Sequence, residues 1–243
     1  MYGNNKVAKI DQRSDGRLKV NSIWQTIQGE GPDAGRPAIF IRLSGCNLRC
    51  WFCDTEFDRG INMTVAQVMK RVSHFLESVN RIQLVVITGG EPLLQNILPL
   101  VDGLNQVGLA VSIETAGTVD ITGLDKRFGR NRPLSGNSIV CSPKTPLINQ
   151  RLVPLVSYWK YLIRSGEVDE TDGLPIVSTQ IKGERAKIYR PPYLDYYFSE
   201  IYVQPVDEDD DARNKANVAA CLTSCRTYGY RLSLQIHKSV GLP

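Results

Sequence analysis

The chain contains no run of about 18 consecutive apolar residues, so no membrane-spanning helix is expected. It has no large excess of charge of either sign. Against 25 acidic residues stand 29 basic ones, and the net charge of +4 is too mild for a nucleic-acid-binding surface, though compatible with small anionic ligands. The first residues, MYGNNKVAKIDQRSDGR, lack the charged, apolar and cleavage segments of a secretory signal. A reducing, cytoplasmic setting is therefore expected, with thiols kept free. Linkers, internal repeats and low-complexity tracts are also absent. The 243 residues then read as one domain spanning 1–243, with a polar lead over 1–17, expected to fray, and a short tail over 236–243. Hydrophobic content of 42% and charged content of 22% are ordinary for a globular protein.

What is present alternates. Leu18–Gln25 and Ala38–Leu43 read as strands. Thr64 and Gln67 form a capping-box pattern ahead of Val65, Val68, Met69, Val72 and Leu76, which repeat at helical spacing. His74 lies off that stripe and reads as a surface residue. The continuous apolar run Leu84–Ile87 suits a buried parallel strand, and a helix follows it to about Val107. Further strands are expected at Leu109–Ile113, Ser138–Cys141, Tyr158–Ile163, Ile201–Val203 and Arg231–Gln235, with a helix over Ala212–Tyr228. Strands alternating with helices imply a parallel sheet of α/β class, whose site lies at the carboxyl ends of the strands. Asp125–Gly136 and Gly166–Glu200 show no regular pattern and read as excursions from this core.

Six cysteines divide into two sets. Cys221 and Cys225 lie four apart on the expected helix, where Cβ atoms are about 5–6 Å apart. A disulfide wants about 3.5–4.5 Å. With Val218 and Leu222 they read as buried core thiols, and Cys141 joins them as a free thiol. Cys46, Cys50 and Cys53 sit instead in Gly45-Cys46-Asn47-Leu48-Arg49-Cys50-Trp51-Phe52-Cys53, a C-x3-C-x2-C spacing. Three thiolates on a short loop suit three irons of a 4Fe–4S cube and leave the fourth iron open to a ligand. Structural zinc wants a fourth Cys or His, and none lies between Cys53 and His74. A zinc site and plain structural cysteines remain the alternatives at this point. Thr88-Gly89-Gly90-Glu91-Pro92 follows the apolar strand 84–87. Two glycines let backbone approach a ligand without an intervening Cβ, and a carbonyl or carboxylate there can accept from a bound ammonium group.

The cysteine loop and the Gly-Gly-Glu-Pro turn together resemble the radical S-adenosylmethionine (SAM) enzymes. The resemblance implies an incomplete (β/α) barrel, a 4Fe–4S cluster on Cys46, Cys50 and Cys53, and SAM bound on the open iron. Reduction of the cluster then cleaves SAM to a 5′-deoxyadenosyl radical. A narrower resemblance, to the 7-carboxy-7-deazaguanine synthase subfamily, rests on TIQGEG at Thr26–Gly31, AIFIRLSGCNLRC at Ala38–Cys50 and CDT at Cys53–Thr55. It extends through VITGGEP, IETAGT at Ile113–Thr118, CSPK at Cys141–Lys144, VQPVDE at Val203–Glu208 and the terminal LQIHKSVGLP, so it covers nearly the whole chain.

That likeness implies conversion of 6-carboxy-5,6,7,8-tetrahydropterin to 7-carboxy-7-deazaguanine with loss of ammonia. It places Phe52, Cys53, Asp54, Gly90, Glu91, Glu114, Ser142, Pro143, Lys144, Gln204, Pro205, Val206 and Asp207 around SAM. It places Thr55 on Mg²⁺, and Ile27, Gln28, Gly29, Glu30, Arg42, Thr88 and the terminal Pro243 on the substrate. The chemistry suits these side chains. Glu30 can accept a pair of hydrogen bonds from the guanidine-like pterin edge, and the planar fork of Arg42 matches a carboxylate. The alternative for Arg42 is a surface salt bridge. The subfamily further implies a tail that closes the substrate site, a homodimer, and an external reductant such as flavodoxin. A radical SAM glycyl-radical activase and a non-catalytic iron–sulfur electron carrier are the competing functional readings.

Overall fold

The computed structural model describes residues 6–78, 81–129, 136–192 and 200–242. Among them lie strands β1 (Arg17–Ile27), β2 (Pro37–Leu43), β3 (Ile61–Thr64), β4 (Leu84–Gly89), β5 (Ala110–Thr115), β6 (Ser138–Cys141), β7 (Tyr158–Ile163), β8 (Ile201–Pro205) and β9 (Arg231–Leu232). The helices are α1 (Val65–Ser78), α2 (Leu98–Gln106), α3 (Asp211–Tyr228) and the single turn α4 (Ile236–Ser239). All nine strands join one open sheet in the order β3-β1-β2-β4-β5-β6-β7-β8-β9. Every pairing from β2 through β9 is parallel, whereas β1 runs antiparallel to both β2 and β3. The expected mostly parallel, incomplete barrel is the observed one. The short β3, which pairs Ile61–Thr64 with Arg17–Val20, is absent from the sequence reading because Ile61-Asn62 is exposed and shows no alternation.

Side-chain alternation along the strands explains how one sheet supplies both a core and a site. Ile39, Ile41 and Leu43 of β2, Val85 and Ile87 of β4, Val111 and Ile113 of β5, and Trp159, Tyr161 and Ile163 of β7 all enter the main hydrophobic core beneath the helices. The intervening residues face the other way. Near the strand starts they are apolar, with Ala38, Leu84 and Val86 forming a small second cluster. Near the strand ends they are polar: Arg42, Thr88, Glu114, Lys160 and Gln204 all border one cavity. The register Arg42↔Thr88, Glu114↔Val140 and Leu162↔Gln204 fixes this arrangement. A slip of one residue would exchange the two sets, burying charge in the core, so the apolar face enforces the polar one.

The helices follow their sequence signals. The Thr64 amide donates to Gln67 Oε1 at 2.8 Å and the Gln67 amide to Thr64 Oγ1 at 3.2 Å, closing the capping box of α1. Val68 and Val72 are buried and His74 is exposed. Helix α3 starts where Asp210 caps the Arg213 amide and ends at Gly229, whose φ of 76° is the left-handed conformation that glycine adopts freely.

Three expectations need correction. The buried face of α3 holds Asn217 and Ser224 beside Cys221, and Cys225 is only partly buried. Asn217 is a polar tie, accepting from the Ser165 amide and donating to the Val206 carbonyl, so the buried stripe is not purely apolar. The last strand ends at Leu232: the Ser233 amide still donates to the Val203 carbonyl and its hydroxyl to Gln204 Oε1, both at 2.9 Å, after which the chain turns so that the Ile236 amide donates to the Gly29 carbonyl at 3.1 Å. The lead is not frayed throughout its described part. The Ala8 amide donates to the Cys46 carbonyl and the Asp11 amide to the Leu94 carbonyl, both at 2.7 Å, so residues 8–12 strap the back of the cysteine loop.

Candidate active site

A cavity of about 360 Å³ opens at the carboxyl ends of the strands. Its upper wall is the loop after β2. There Cys46, Cys50 and Cys53 are all free thiols facing the same space. The loop is fixed at its root. Gly45, at φ 92°, donates to the Phe57 carbonyl and accepts from the Glu91 amide, both at 2.9 Å.

The turn after β4 presses on this root, and that contact explains both of its glycines. A Cβ on Gly89 would lie 2.1 Å from the Leu43 carbonyl oxygen, and one on Gly90 would lie 2.3 Å from that of Gly45. These glycines serve approach of backbone to the cysteine loop, in addition to bordering the cavity. Glu91 is placed differently from its neighbours. Its carboxylate is fully buried off the cavity and accepts from the Thr115 hydroxyl at 2.8 and 2.9 Å, the Ala116 amide at 2.8 Å and the Leu93 amide at 3.1 Å. It ties the β4 turn to the end of β5. Pro143 also lies off the main cavity, beneath Trp51 and Phe52.

The opposite wall is a charged network on the inner face of the sheet. Lys160, 6% exposed, donates to Glu30 Oε2 at 2.5 Å and stands 3.8 Å from Glu114 Oε1. Gln235 donates to Glu30 Oε1 at 2.7 Å. Glu114 accepts from Gln28 at 3.0 Å and from the Thr88 hydroxyl at 3.1 Å. Burial alone would push the Glu30 carboxyl up, but the Lys160 ammonium and the hydrogen bonds from Lys160 and Gln235 outweigh it and hold it down at about 2. Burial would lower Lys160, but Glu114 and Glu30 raise it. Both partners are thus ionised at neutral pH. Arg42 stacks on Trp24, with its guanidinium carbon 4.8 Å from the ring centre, and its buried Nε has no hydrogen-bond partner. Among the described residues no salt bridge forms to Arg42.

The remaining expected residues divide between the floor and the mouth. Ile27 and Gly29 border the cavity beside Glu30, as do Phe52 beside the cysteines and Ser142, Lys144, Gln204, Pro205 and Val206 after their strands. Lys144 is partly buried and donates to the Ser142 carbonyl at 2.8 Å and to its hydroxyl. At the mouth, Lys238 joins Asp207 at 2.8 Å to Asp54 at 3.6 Å, and the Thr55 hydroxyl donates to Asp54 at 3.0 Å. Pro243 lies outside the described residues.

The sequence reading missed Lys160, Gln235, His237 and Lys238, all of which border the cavity. Lys160 carried the signal that singled out Arg42: a charge interrupting an apolar strand, here Tyr-Trp-Lys-Tyr-Leu-Ile. The tail residues reach the cavity because the Ile236 amide donates to the Gly29 carbonyl at 3.1 Å.

The donor set suits an iron–sulfur cluster. No group of three His, Cys, Asp or Glu side chains among the described residues is arranged around a single metal ion. The three thiols instead ring one opening, as ligands to separate irons of a cube would. Burial pushes Cys46 up to about 12 and raises Cys53 as well, so positive iron nearby is what would favour their thiolates. The orphaned Arg42 Nε, across the same cavity, suits an anionic ligand beside that cluster.

Comparison with known proteins agrees with this geometry. The family model described as the radical SAM superfamily matches residues 40–146, which run from β2 past the CSPK segment. A 7-carboxy-7-deazaguanine synthase from Rhodospirillum rubrum is 38% identical, over 98% of this chain and 98% of its own length. One from Rickettsia prowazekii is 37% identical, over 100% of this chain and 96% of its own. A crystal structure of QueE from Escherichia coli shares the fold, with a TM-score of 0.62 and 24% identity over 90% of this chain and 93% of that one. The chain therefore belongs to the 7-carboxy-7-deazaguanine synthase family of radical SAM enzymes.

Proposed function

We propose that this chain converts 6-carboxy-5,6,7,8-tetrahydropterin to 7-carboxy-7-deazaguanine with loss of ammonia. One observation carries the reading. The three-cysteine loop and the Glu30–Lys160–Glu114 network border the same cavity, so a radical source and a donor-rich heterocycle would meet there. The relatives' names favour this over the glycyl-radical activase and electron-carrier readings.

A 4Fe–4S cluster with SAM supplies the one-electron chemistry that opens the reaction, and Cys46, Cys50 and Cys53 would hold it. The protein's own residues bind and orient. Glu30, held ionised by Lys160, keeps lone pairs for the guanidine-like edge of the pterin, since each carboxylate oxygen has two and each has one protein donor here. Glu114 and Gln28, hydrogen-bonded to each other, form a second polar edge of the same cavity. Arg42, stacked and with an open donor, offers its fork to the substrate carboxylate. Ser142, Lys144 and Gln204 to Asp207, on the far side, are the proposed SAM contacts. Thr55 is the proposed protein ligand to Mg²⁺, an ion that keeps several waters and takes few protein oxygens. A flavodoxin-like reductant, a homodimer and a cytoplasmic location belong to the same proposal. No helix among the described residues is long and apolar enough to cross a membrane.

The test is anaerobic turnover of reconstituted protein with SAM, reductant, Mg²⁺ and the pterin, with products read by mass spectrometry. Appearance of 7-carboxy-7-deazaguanine with one ammonia released per turnover is the expected result. SAM cleavage without any deazaguanine would overturn the assignment.

A further inference from the structure

Residues 176–186, within the stretch that carried no sequence pattern, form a small antiparallel excursion. Val177 bridges Arg185, the Ser178 amide donates to the Glu184 carbonyl at 2.8 Å, and the Ala186 amide to the Ile176 carbonyl at 2.9 Å. Its tip, Ser178-Thr179-Gln180, sits on the cysteine loop. The Trp51 amide donates to the Thr179 carbonyl at 3.0 Å, and the Arg49 amide to Gln180 Oε1 at 2.9 Å. With its carbonyl fixed by that bond, Gln180 turns its amide nitrogen inward. There Nε2 donates to Cys50 Sγ at 3.3 Å and to the Thr179 hydroxyl oxygen at 2.6 Å. The Thr179 hydroxyl donates to the Lys144 carbonyl at 2.8 Å, so it is not free to donate to the sulfur. The Ser178 hydroxyl accepts from the Gln180 and Ile181 amides, both at 3.1 Å, which holds the tip in one conformation.

The three thiols are therefore unequal. Cys46 Sγ accepts from the Leu48 amide of its own loop at 3.4 Å, and Cys53 Sγ contacts the Thr55 carbonyl at 3.5 Å. Among the described residues, Cys50 is the one that receives a side-chain donor from a distant segment, 130 residues along the chain. We propose that Gln180 is a positioning residue for the radical chemistry: its amide N–H to Cys50 Sγ makes the cluster easier to reduce. The cause is electrostatic. Adding an electron raises the negative charge shared by the cluster and its sulfurs. A donor aimed at one sulfur then stabilises the reduced state more than the oxidised one, and hydrogen bonds to the sulfurs are among the determinants of cluster potential. The tip's other bonds hold the loop in place, so the side chain of Gln180 is expected to tune the cluster rather than assemble it. The inference rests on the reading that Cys46, Cys50 and Cys53 hold a 4Fe–4S cluster.

The experiment compares anaerobically reconstituted wild type with Gln180→Leu and the isosteric Gln180→Glu. Iron content is measured first, and the midpoint potential is then read by spectroscopic redox titration without pterin. Gln180→Leu is expected to load the cluster fully and to lower the equilibrium constant for its one-electron reduction about tenfold, a fall of about 59 mV. Gln180→Glu, which replaces the donor with a negative charge, is expected to fall further. Full loading with an unchanged potential in both variants would overturn the proposal. So would failure of both variants to load, because the side chain would then be needed for assembly. A wild type that binds no iron–sulfur cluster would defeat the functional reading itself. A normal cluster without deazaguanine formation would leave the role of Gln180 standing and remove only the assigned reaction.

Discussion

Replacing Lys160 by methionine isolates the charge that organises the Glu30–Glu114 wall of the cavity. Methionine keeps the length and most of the volume of the lysine stem in its place on β7, but removes the ammonium that lies 2.5 Å from Glu30 and 3.8 Å from Glu114. Losing one partner of a buried ion pair leaves the other uncompensated and costs about 3–5 kcal/mol. For a chain of this length each kcal/mol lowers Tm by about 2–4 °C, so the expected fall is roughly 6–20 °C near neutral pH. The pH dependence gives the sharper check. In the wild type Glu30 is held at about 2, so its stabilising contribution is present above the ordinary Glu value and is lost only as pH falls toward 2. Without the ammonium, burial dominates and raises the folded pKa, so the sign reverses. The variant is then penalised as pH rises through that raised value, and its deficit shrinks below about pH 4.3. Thermal unfolding by circular dichroism from pH 4 to 8, at matched iron content, reads this directly. Adding Glu30→Gln to Lys160→Met removes the stranded charge and should recover at least half of the loss at pH 8. A Lys160→Met protein as stable as wild type at pH 8, with no benefit from the second change, would refute the reasoning.

Changing Cys50 to alanine should reduce iron content and SAM cleavage to background, whereas Cys225→Ser, on α3, should leave both intact; iron assay and product chromatography compare them. Gly90→Ala should impair cluster loading several-fold, since its new methyl would meet the Gly45 carbonyl at 2.3 Å and push the cysteine loop off its root; normal loading would show that the loop yields. Thr55→Ala should keep the cluster and SAM binding but lose most of the acceleration by Mg²⁺, measured as turnover against metal concentration. An undiminished response would place the ion elsewhere.

The parts of the fold legible in the sequence were those whose signal is local. The capping box at Thr64 and Gln67, the stripe of α1 and the apolar run of β4 each announce themselves within a few residues, and each stands where it was read. The end of β9 was not legible, because the chain turns there toward a partner distant in sequence, the Gly29 carbonyl that accepts from the Ile236 amide. The same holds for the strapped lead, whose partners Cys46 and Leu94 are distant in sequence. In the site, the cysteine spacing and the charge in β2 were readable. Gln180 was not, since nothing local marks a glutamine in an irregular stretch as the partner of Cys50. Glu91 has a part that its motif does not announce. Three donors, the Thr115 hydroxyl and the Ala116 and Leu93 amides, engage its carboxylate inside the fold.

The tail completes this division of labour. Three residues within four positions of the chain end reach three different parts of the site: Gln235 holds Glu30, His237 packs against Gly29, and Lys238 spans Asp207 and Asp54. Gly29 is required for the middle contact, because a Cβ there would fall 1.9 Å from His237 Nδ1. The IQGEG loop therefore has two tasks that its sequence does not separate. Glu30 and Gln28 present acceptors and donors to the cavity, while Gly29 leaves the room that lets the tail dock and supply Gln235 to that same Glu30. The wall around Glu30 is built by residues some 200 positions apart, and the end of β9 at Leu232 lets the tail turn toward it.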